Sequence, residues 1–341
     1  MAILKNVTVN DTGFIKLPNG NTAQRPGSPT PGMLRYNTDL ASNEYYNGGA
    51  WVMVEEANVG DASTGGSITS SGGYRIHTFT SGSATFVPSK TGVIEALVVA
   101  GAGGGHSISG GGGAGGYVYI AGVPVVAGTA YPTVIGGGGA GCTSHNANNA
   151  GPGNASNFGS GTPVAIATVG GGRGCHYPPG SAPNSGGGSG GGGPGWNGGP
   201  QTYHPGAAGT AGQGHPGGIG VHYNGTPTGT HYGGGGGGGA GTMGYGRSHR
   251  FQQGRGGEGM ASTIGGSMVY RAGGGGGGYH SPGHGTASLA GRGSLGNTLP
   301  GQNGQYGGAN TGGGGGGGPY NPEPQGGGAG GPGVVIVRYR G

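Results

Sequence analysis

Charged side chains make up only 7% of the 341 residues, and no Lys follows Lys90. With a formal net charge of +5, self-repulsion cannot be what shapes this chain. Large apolar side chains are scarce as well. Val, Ile, Leu and Phe fill 46 positions, below the roughly 20% under which a chain struggles to bury a conventional core. Taken alone, that scarcity reads as disorder, but the low net charge removes the other half of the disorder signature. The two cysteines, Cys142 and Cys175, are too few for a disulfide framework in a chain of this length, and buried free thiols are expected. No apolar run approaches the ~18 residues of a membrane-spanning helix. The opening MAILKNVTVNDTG lacks the basic segment and long apolar stretch of a secretory signal. The expectation is a soluble product made in the cytoplasm, with no membrane insertion.

What is present is backbone-special residues. Gly occupies 103 positions and Pro 23, together about 37% of the chain. Collagen is excluded because no G-X-Y frame persists. Glycine instead gathers into runs at 110–116, 136–141, 170–174, 186–193, 233–241, 273–278, 312–318 and 326–331, separated by inserts rich in His, Tyr, Asn, Pro, Thr and Gln. A recurring run with a variable insert is the signature of units that cannot stand alone.

Charge divides unevenly. Residues 1–95 carry six basic and seven acidic side chains, whereas 96–341 carry eight Arg against Glu258 and Glu323, with ten of the eleven His. The second part therefore gains positive charge below about pH 6.5, which favours anionic partners such as surface polysaccharide. One RGG triplet at Arg255 and no basic block leave nucleic acid without a platform.

Three segments follow from the patterning. Residues 1–60 read as a small β module, with alternation over Ile3–Val9, a turn-rich connector from Arg25 to Gly32, and a hairpin over Tyr45–Val52 whose Asn47-Gly48 supplies a positive φ. Sixty residues with one Trp bury too little surface to stand alone, so self-association or docking is expected. Residues 61–73 read as a polar Gly/Ser linker. Residues 74–341 read as a glycine-rich domain bracketed by strands: Tyr74–Pro88 and Val93–Val99 at one end, Gly333–Tyr339 at the other, with Tyr117–Ile120, Tyr131–Ile135 and Val164–Val169 between. The terminal strand is expected to pair near Val93–Val99 and close a domain of about 270 residues.

A helix or strand of seven glycines loses more conformational freedom than any other sequence, so the runs need a geometry that only Gly permits. Polyproline II offers one, with three residues per turn and every N–H and C=O pointing outward to neighbours. A segment surrounded on all sides must then be Gly throughout, as at 233–239 and 312–318. A segment on a face needs fewer, as at 214–220. The fold class expected is mainly β and irregular, a small N-terminal β module plus packed polyproline II helices bracketed by strands. A disordered Gly tract is the alternative reading, which the flanking strands oppose.

Few residues suit catalysis or metal binding. Cys142 with His145 and Cys175 with His176 supply the atom types of a tetrahedral zinc site, but the adjacent second pair diverges, so neither metal nor cofactor is expected. Glycoside cleavage needs two placed carboxylates, and the body offers only Glu95, Glu258 and Glu323. The matches to G-x-G-x-x-G arise by chance in so Gly-rich a chain. No enzymatic activity is expected. Aromatics are more telling. Tyr177, Trp196, Tyr203, Tyr223, Tyr232, Tyr245, Phe251, Tyr279, Tyr306 and Tyr320 sit at junctions between runs and polar inserts. Tyr, Asn and Ser loops on a rigid scaffold form a recognition chemistry, and flat aromatic faces suit sugar rings. The plainer reading is that each caps the end of the bundle.

The stretch from Leu17 through Arg25-Pro26-Gly27 and Met33-Leu34-Arg35-Tyr36-Asn37 to Trp51 resembles a segment common in fibre proteins of tailed phages. The body, from Leu97-Val98-Val99-Ala100-Gly101 to Gly333–Tyr339, is similar to the glycine-rich domain of phage structural proteins, and in style to tip adhesins built as a sandwich of polyproline II helices. The resemblance implies a virion fibre or adhesin subunit in which residues 1–60 attach to other virion proteins or oligomerise as a homotrimer. The glycine-rich body would display the aromatic loops to a host-surface glycan or protein. A purely structural virion component, a head-fibre, decoration or filament subunit without a receptor, is the alternative.

Overall fold

The computed structural model describes residues 16–54, 61–107, 109–144, 149–175, 185–195, 202–226, 229–246, 254–278, 303–319 and 325–341. They divide into two compact units, Met1–Asp61 and Ala62–Gly341. Among the described residues there is no α-helix, and none of the structure is long and apolar enough to cross a membrane as a helix. The chain is mainly β and irregular.

The first unit is a four-stranded sheet ordered β1 (Asn19–Gly20), β2 (Leu34–Asn37), β3 (Ser42–Tyr46), β4 (Trp51–Met53). The β3–β4 turn uses Gly48 at φ 104°, and the Asn47 side chain accepts the Gly49 and Ala50 N–H groups at 2.9 Å each. The burial pattern is inverted relative to an ordinary sheet. Leu34, Tyr36 and Tyr45 share one face and are exposed, while Arg35, Asn37 and Glu44 share the other and are buried. Glu44, with 0% exposure, takes Arg25 at 2.6 and 3.2 Å and the Asn37 amide at 3.1 Å, with Arg35 3.6 Å away. The hydrogen bond from Arg25 leads in holding its carboxyl below the usual carboxylate range, against the opposing effect of burial. A buried carboxylate survives because each of its oxygens is bonded.

The second unit begins with β5 (Ser67–Ser71), β6 (Tyr74–Phe79), β7 (Ser83–Phe86), β8 (Gly92–Val99), β9 (Tyr117–Val125), β10 (Tyr131–Val134), β11 (Ser156–Phe158) and β12 (Ile166–Thr168). It continues with β13 (Thr202–His204), β14 (Gly220–Thr226), β15 (Gly229–Gly233), β16 (Met260–Ser262), β17 (Val269–Arg271) and β18 (Val334–Arg340). A five-stranded antiparallel sheet runs β5-β6-β18-β8-β9. The terminal strand β18 pairs with β8 from Val334 opposite Val99 to Arg338 opposite Glu95, closing the unit where the sequence places the partner.

One segment departs from expectation. Residues 61–73, read as linker from their Gly and Ser content, supply the edge strand β5, paired with β6 from Ser67 opposite Thr78 to Ser71 opposite Tyr74. Gly72 and Gly73, at φ 57° and 76°, make the tight turn that both require. Every β5 residue is exposed, so backbone pairing and not side-chain burial holds it.

A second sheet, β12-β11-β10-β7, packs over one face of the first. Between them lie Phe79, Phe86, Ile94, Val98, Tyr131, Phe158 and Val335. Tyr131 and Phe158 stack at 5.8 Å. Buried His77 bonds the Gly65 carbonyl at 2.8 Å and the Tyr339 hydroxyl at 3.0 Å. The opposite face carries a second cluster of Ile76, Leu97, Val99 and Ile336, into which Ile264 inserts from the turn of the β16–β17 hairpin. A sheet covered on both faces explains why Leu97–Val99 and Val334–Val337 read as unbroken apolar runs.

The glycine runs leave these sheets and pack against one another without forming strands. Their hydrogen bonds rotate with a period of three. The N–H groups of Ala100, Gly103 and His106 reach Gly116, Gly113 and Gly110; those of Gly101 and Gly104 reach Asn154 and Gly151; those of Ala102 and Gly105 reach Gly331 and Gly328. The next run repeats this, with Gly111 and Ala114 on Gly235 and Gly238, Gly112 and Gly115 on Gly315 and Gly312, and Gly113 and Gly116 on Gly172 and Val169. Each run thus has neighbours in three directions, some parallel and some antiparallel. A strand offers bonds in only two directions, and an α-helix bonds within itself.

Close approach, far more than unusual φ, makes glycine obligatory at most positions of these runs. A Cβ on Gly104 would lie 1.9 Å from the Ala140 carbonyl oxygen, and one on Gly237 would lie 2.0 Å from that of Gly112. Neither residue has positive φ. Runs 233–239 and 312–318 are buried throughout, whereas 214–220 lies at the surface with Ile219 exposed. A Cβ is accepted at a few places: Ala114 joins the cluster around Leu97 and Val99, Ala102 is buried within its run, and Ala140 is exposed.

Candidate functional site

The hydrogen bonds also give the bundle two distinct ends. At one, the runs are tied to the sheets, with Gly116 on Val169, Tyr117 on Gln213 and Gly333 on Gly136. At the other, His106, Gly318, Cys142 and Gly327 are linked around the 101–106 run, and Ser109, Gly278, Gly234 and Gly254 form a second chain of bonds beside them. These residues flank the segments 143–149, 247–253, 279–303 and 319–325. Cys175, before 176–184, bonds Gly192 at the same level, and the three-stranded sheet β13-β14-β15 rises there as well. The segments 143–149, 176–184, 247–253, 279–303 and 319–325 therefore start from the end of the bundle away from the sheets, whereas β11–β12 and the β16–β17 hairpin leave from the sheet end. Each run spans the bundle once, and at the sheet end some returns are short turns such as Thr210–Gln213 and Gly239–Thr242, while others carry strands that join the sheets.

Of the aromatic candidates, Tyr203 lies on β13 at this far end and is 60% exposed. Tyr223 and Tyr232 lie on β14 and β15, opposite His231 and His222. Tyr245 and Tyr306 sit on the flank of the bundle instead. The Tyr245 N–H and C=O bond Arg255 and Gly236 midway along their runs, with the Arg255 guanidinium 5.4 Å over its ring. Tyr306, 73% exposed, lies between Gln305 and Gly307, which bond the middle of the neighbouring runs. Tyr177, Trp196, Phe251, Tyr279 and Tyr320 lie outside the described residues.

The far-end sheet adds a pair that spacing alone does not announce. Thr202 pairs with His222, and His204, two residues on, shares their face. Burial lowers the pKa of both imidazoles, and the nearby His204 lowers that of His222 further. The sequence signal was available as Thr-Tyr-His and Val-His-Tyr alternation, but only the register puts the two rings on one side.

Cys142 acts as an acceptor. Its sulfur takes the Ser107 N–H at 2.8 Å and the Gly327 N–H at 3.2 Å, and burial raises its pKa. Cys175 is also buried, while His145 and His176 lie outside the described residues. Among the described residues no group of three His, Cys, Asp or Glu is placed to hold a metal. Of the carboxylates in the body, Glu95 pairs with Arg338 at 2.8 Å and Glu258 with Arg255 at 3.2 Å, whereas Glu323 lies outside the described residues.

A further concave feature, absent from the sequence reading, lies near the sheet end between β9 and the β16–β17 hairpin. It is an open cleft of about 370 Å³. Tyr117 and Tyr119, two apart on one strand, were its only sequence signal.

No curated protein sequence matches the chain. A family model described as a glycine-rich domain matches residues 77–340, from within β6 to the last residue of β18. The match thus covers the unit that those two strands close around the bundle, and the chain belongs to this glycine-rich domain family.

Proposed function

We propose that the chain is a tailed-phage virion subunit, a fibre or tip adhesin, whose glycine bundle presents receptor-binding loops to a host-surface glycan or outer-membrane protein. The observation that carries this reading is the shared origin of five inserts, 143–149, 176–184, 247–253, 279–303 and 319–325, at the end of the bundle away from the sheets. A scaffold whose backbone is bonded in three directions holds such loops with little entropy left to lose on binding. In this reading the runs are polyproline II helices, supported by the three-residue rotation of their bonds.

The first unit is the part that assembles. Its exposed Leu34, Tyr36 and Tyr45, set against a buried ion-pair face, favour association with copies of itself as a trimer or with other virion proteins. Trimerisation would multiply weak single sites into useful avidity.

Labelled protein added to host bacteria tests the receptor reading. Saturable binding, reduced by Tyr203→Ala, is the expected result; an assembled oligomer that shows no saturable binding overturns it and leaves a purely structural virion role. Native mass measurement gives the oligomeric state. A polyproline-type circular dichroism spectrum with protected amides in the runs is expected alongside it.

A further inference from the structure

We propose that the cleft between β9 and the β16–β17 hairpin is a second ligand site, near the end of the bundle opposite the loops, and that it takes a neutral sugar ring. Its volume, about 370 Å³, falls at the lower end of the roughly 300–1,000 Å³ of small-molecule sites. Tyr119 forms one wall and Met260 and Met268 the other, all substantially exposed, with Met268 at 67%. Ser262 and Thr263 line the cleft beside them.

The cleft is already built. Arg338 on β18 ties the sheet to the hairpin, donating Nη2 to Glu95 at 2.8 Å and Nη1 to the Thr263 carbonyl at 3.1 Å, with its guanidinium 4.5 Å over the Tyr74 ring. The Tyr119 hydroxyl donates to the same Glu95 oxygen at 2.5 Å, which fixes the ring that faces the cleft. Tyr117 is held in turn by Ser262. A site whose walls are hydrogen-bonded in place loses little freedom on binding.

The chemistry selects the ligand. Among the described residues the carboxylate beside the cleft, Glu95, is committed to Arg338 and Tyr119, so a cation is offered no free carboxylate, and Arg271, which acts on Tyr117, is buried and does not line the cleft to meet an anion. What is offered is an exposed aromatic ring and two thioethers, with hydroxyl groups at the margin. A purely apolar ligand would cover the Thr263 hydroxyl without giving it a partner, at about 1–3 kcal/mol. A pyranose has an apolar face for the ring and methionines and an edge of hydroxyls for Thr263. This site is independent of the loop end, so either can fail without the other.

Methionine methyl spectra of the full chain decide the matter, with methyl glucoside, methyl galactoside, methyl mannoside and N-acetylglucosamine as probes. Met260 and Met268 report on the cleft, while Met33 and Met53 in the other unit serve as internal controls. Saturable shifts confined to Met260 and Met268 with at least one of these sugars are expected, weakened at least tenfold by Tyr119→Ala. Met268→Ala, at a largely exposed position, gives the same loss without disturbing the core and covers the case in which the first variant misfolds. No shift with any of the sugars up to their solubility overturns the proposal. So does a shift that survives both substitutions, or one produced only by detergent micelles or an apolar peptide, which would make the cleft a docking groove.

Discussion

The two halves of the second unit solve the same problem with opposite materials. In the sandwich of β6–β12 and β18, stability comes from side chains: Phe86, Tyr131 and Phe158 fill the space between sheets and the backbone is only the frame. In the glycine bundle there is almost nothing but frame. Its interior consists of N–H and C=O groups bonded in three directions, with neighbouring carbonyl oxygens about 2 Å from where a Cβ would stand. A side-chain core tolerates loss of volume with partial collapse, whereas most positions of this backbone core leave no room for one added carbon.

The contrast breaks most directly by adding a methyl group. Gly237→Ala would press a Cβ against the Gly112 carbonyl and should destabilise the second unit by more than about 3 kcal/mol, read by thermal melting and amide exchange. Gly92→Ala, with nothing within 4 Å and ordinary φ, should be neutral or stabilise by about 0.4–1 kcal/mol. Equal effects at the two sites would end the backbone-core account.

The converse substitution probes the sandwich. Phe158→Ala should cost about 3–5 kcal/mol through the cavity it leaves, and amide exchange should locate the loss in β7 and β10–β12 with the run amides protected longest. Uniform loss of protection would show that the two cores unfold as one.

Acid separates the first unit from the far-end sheet. His204 and His222 have lowered folded pKa values, so the unfolded chain binds protons first and stability falls as pH drops below about 6.5, toward the folded values. Exchange in β13–β15 should therefore quicken near pH 6 and below. Glu44 is depressed instead, so its contribution is present above about pH 4.3 and is lost only as pH falls below that, through its folded value. The first unit should consequently hold at pH 5. A melt in which it loosens before the far-end sheet would reverse the assignment.

The smallest effect is chemical. Cys142, buried with a raised pKa, should react with a thiol reagent only as fast as the bundle opens, so its rate should follow amide exchange at Gly327. Rapid modification in the folded state would mean that the far end is less closed than its bonds imply.

Much of this architecture was legible in the residues. The pairing of the last strand with Val93–Val99 followed from two apolar runs bracketing a body that has few others. The buried and surface runs were separable because a fully enclosed segment must be Gly at every position. Edge strand β5 was hidden, since Ser, Thr and Gly describe an exposed strand and a linker equally well. The polar interior of the first unit was hidden for another reason: alternation in Leu34-Arg35-Tyr36-Asn37 says that two faces differ, not which one is covered. The candidate site was legible as a composition of aromatic inserts, but Tyr245 and Tyr306 carry the same local signature as Tyr203 and lie on the flank.

By itself the sequence determined that the interior would be made of backbone, because seven consecutive glycines leave nothing else to pack. Only the tertiary structure decided which runs are neighbours, which inserts start from the end away from the sheets, and that Tyr119, Met260 and Arg338 meet across a cleft. Identical runs carry no information about their partners. Their register is set by the strands they leave, where Val99, Tyr117 and Val334 are distinguishable side chains and the hydrophobic effect can tell one pairing from another.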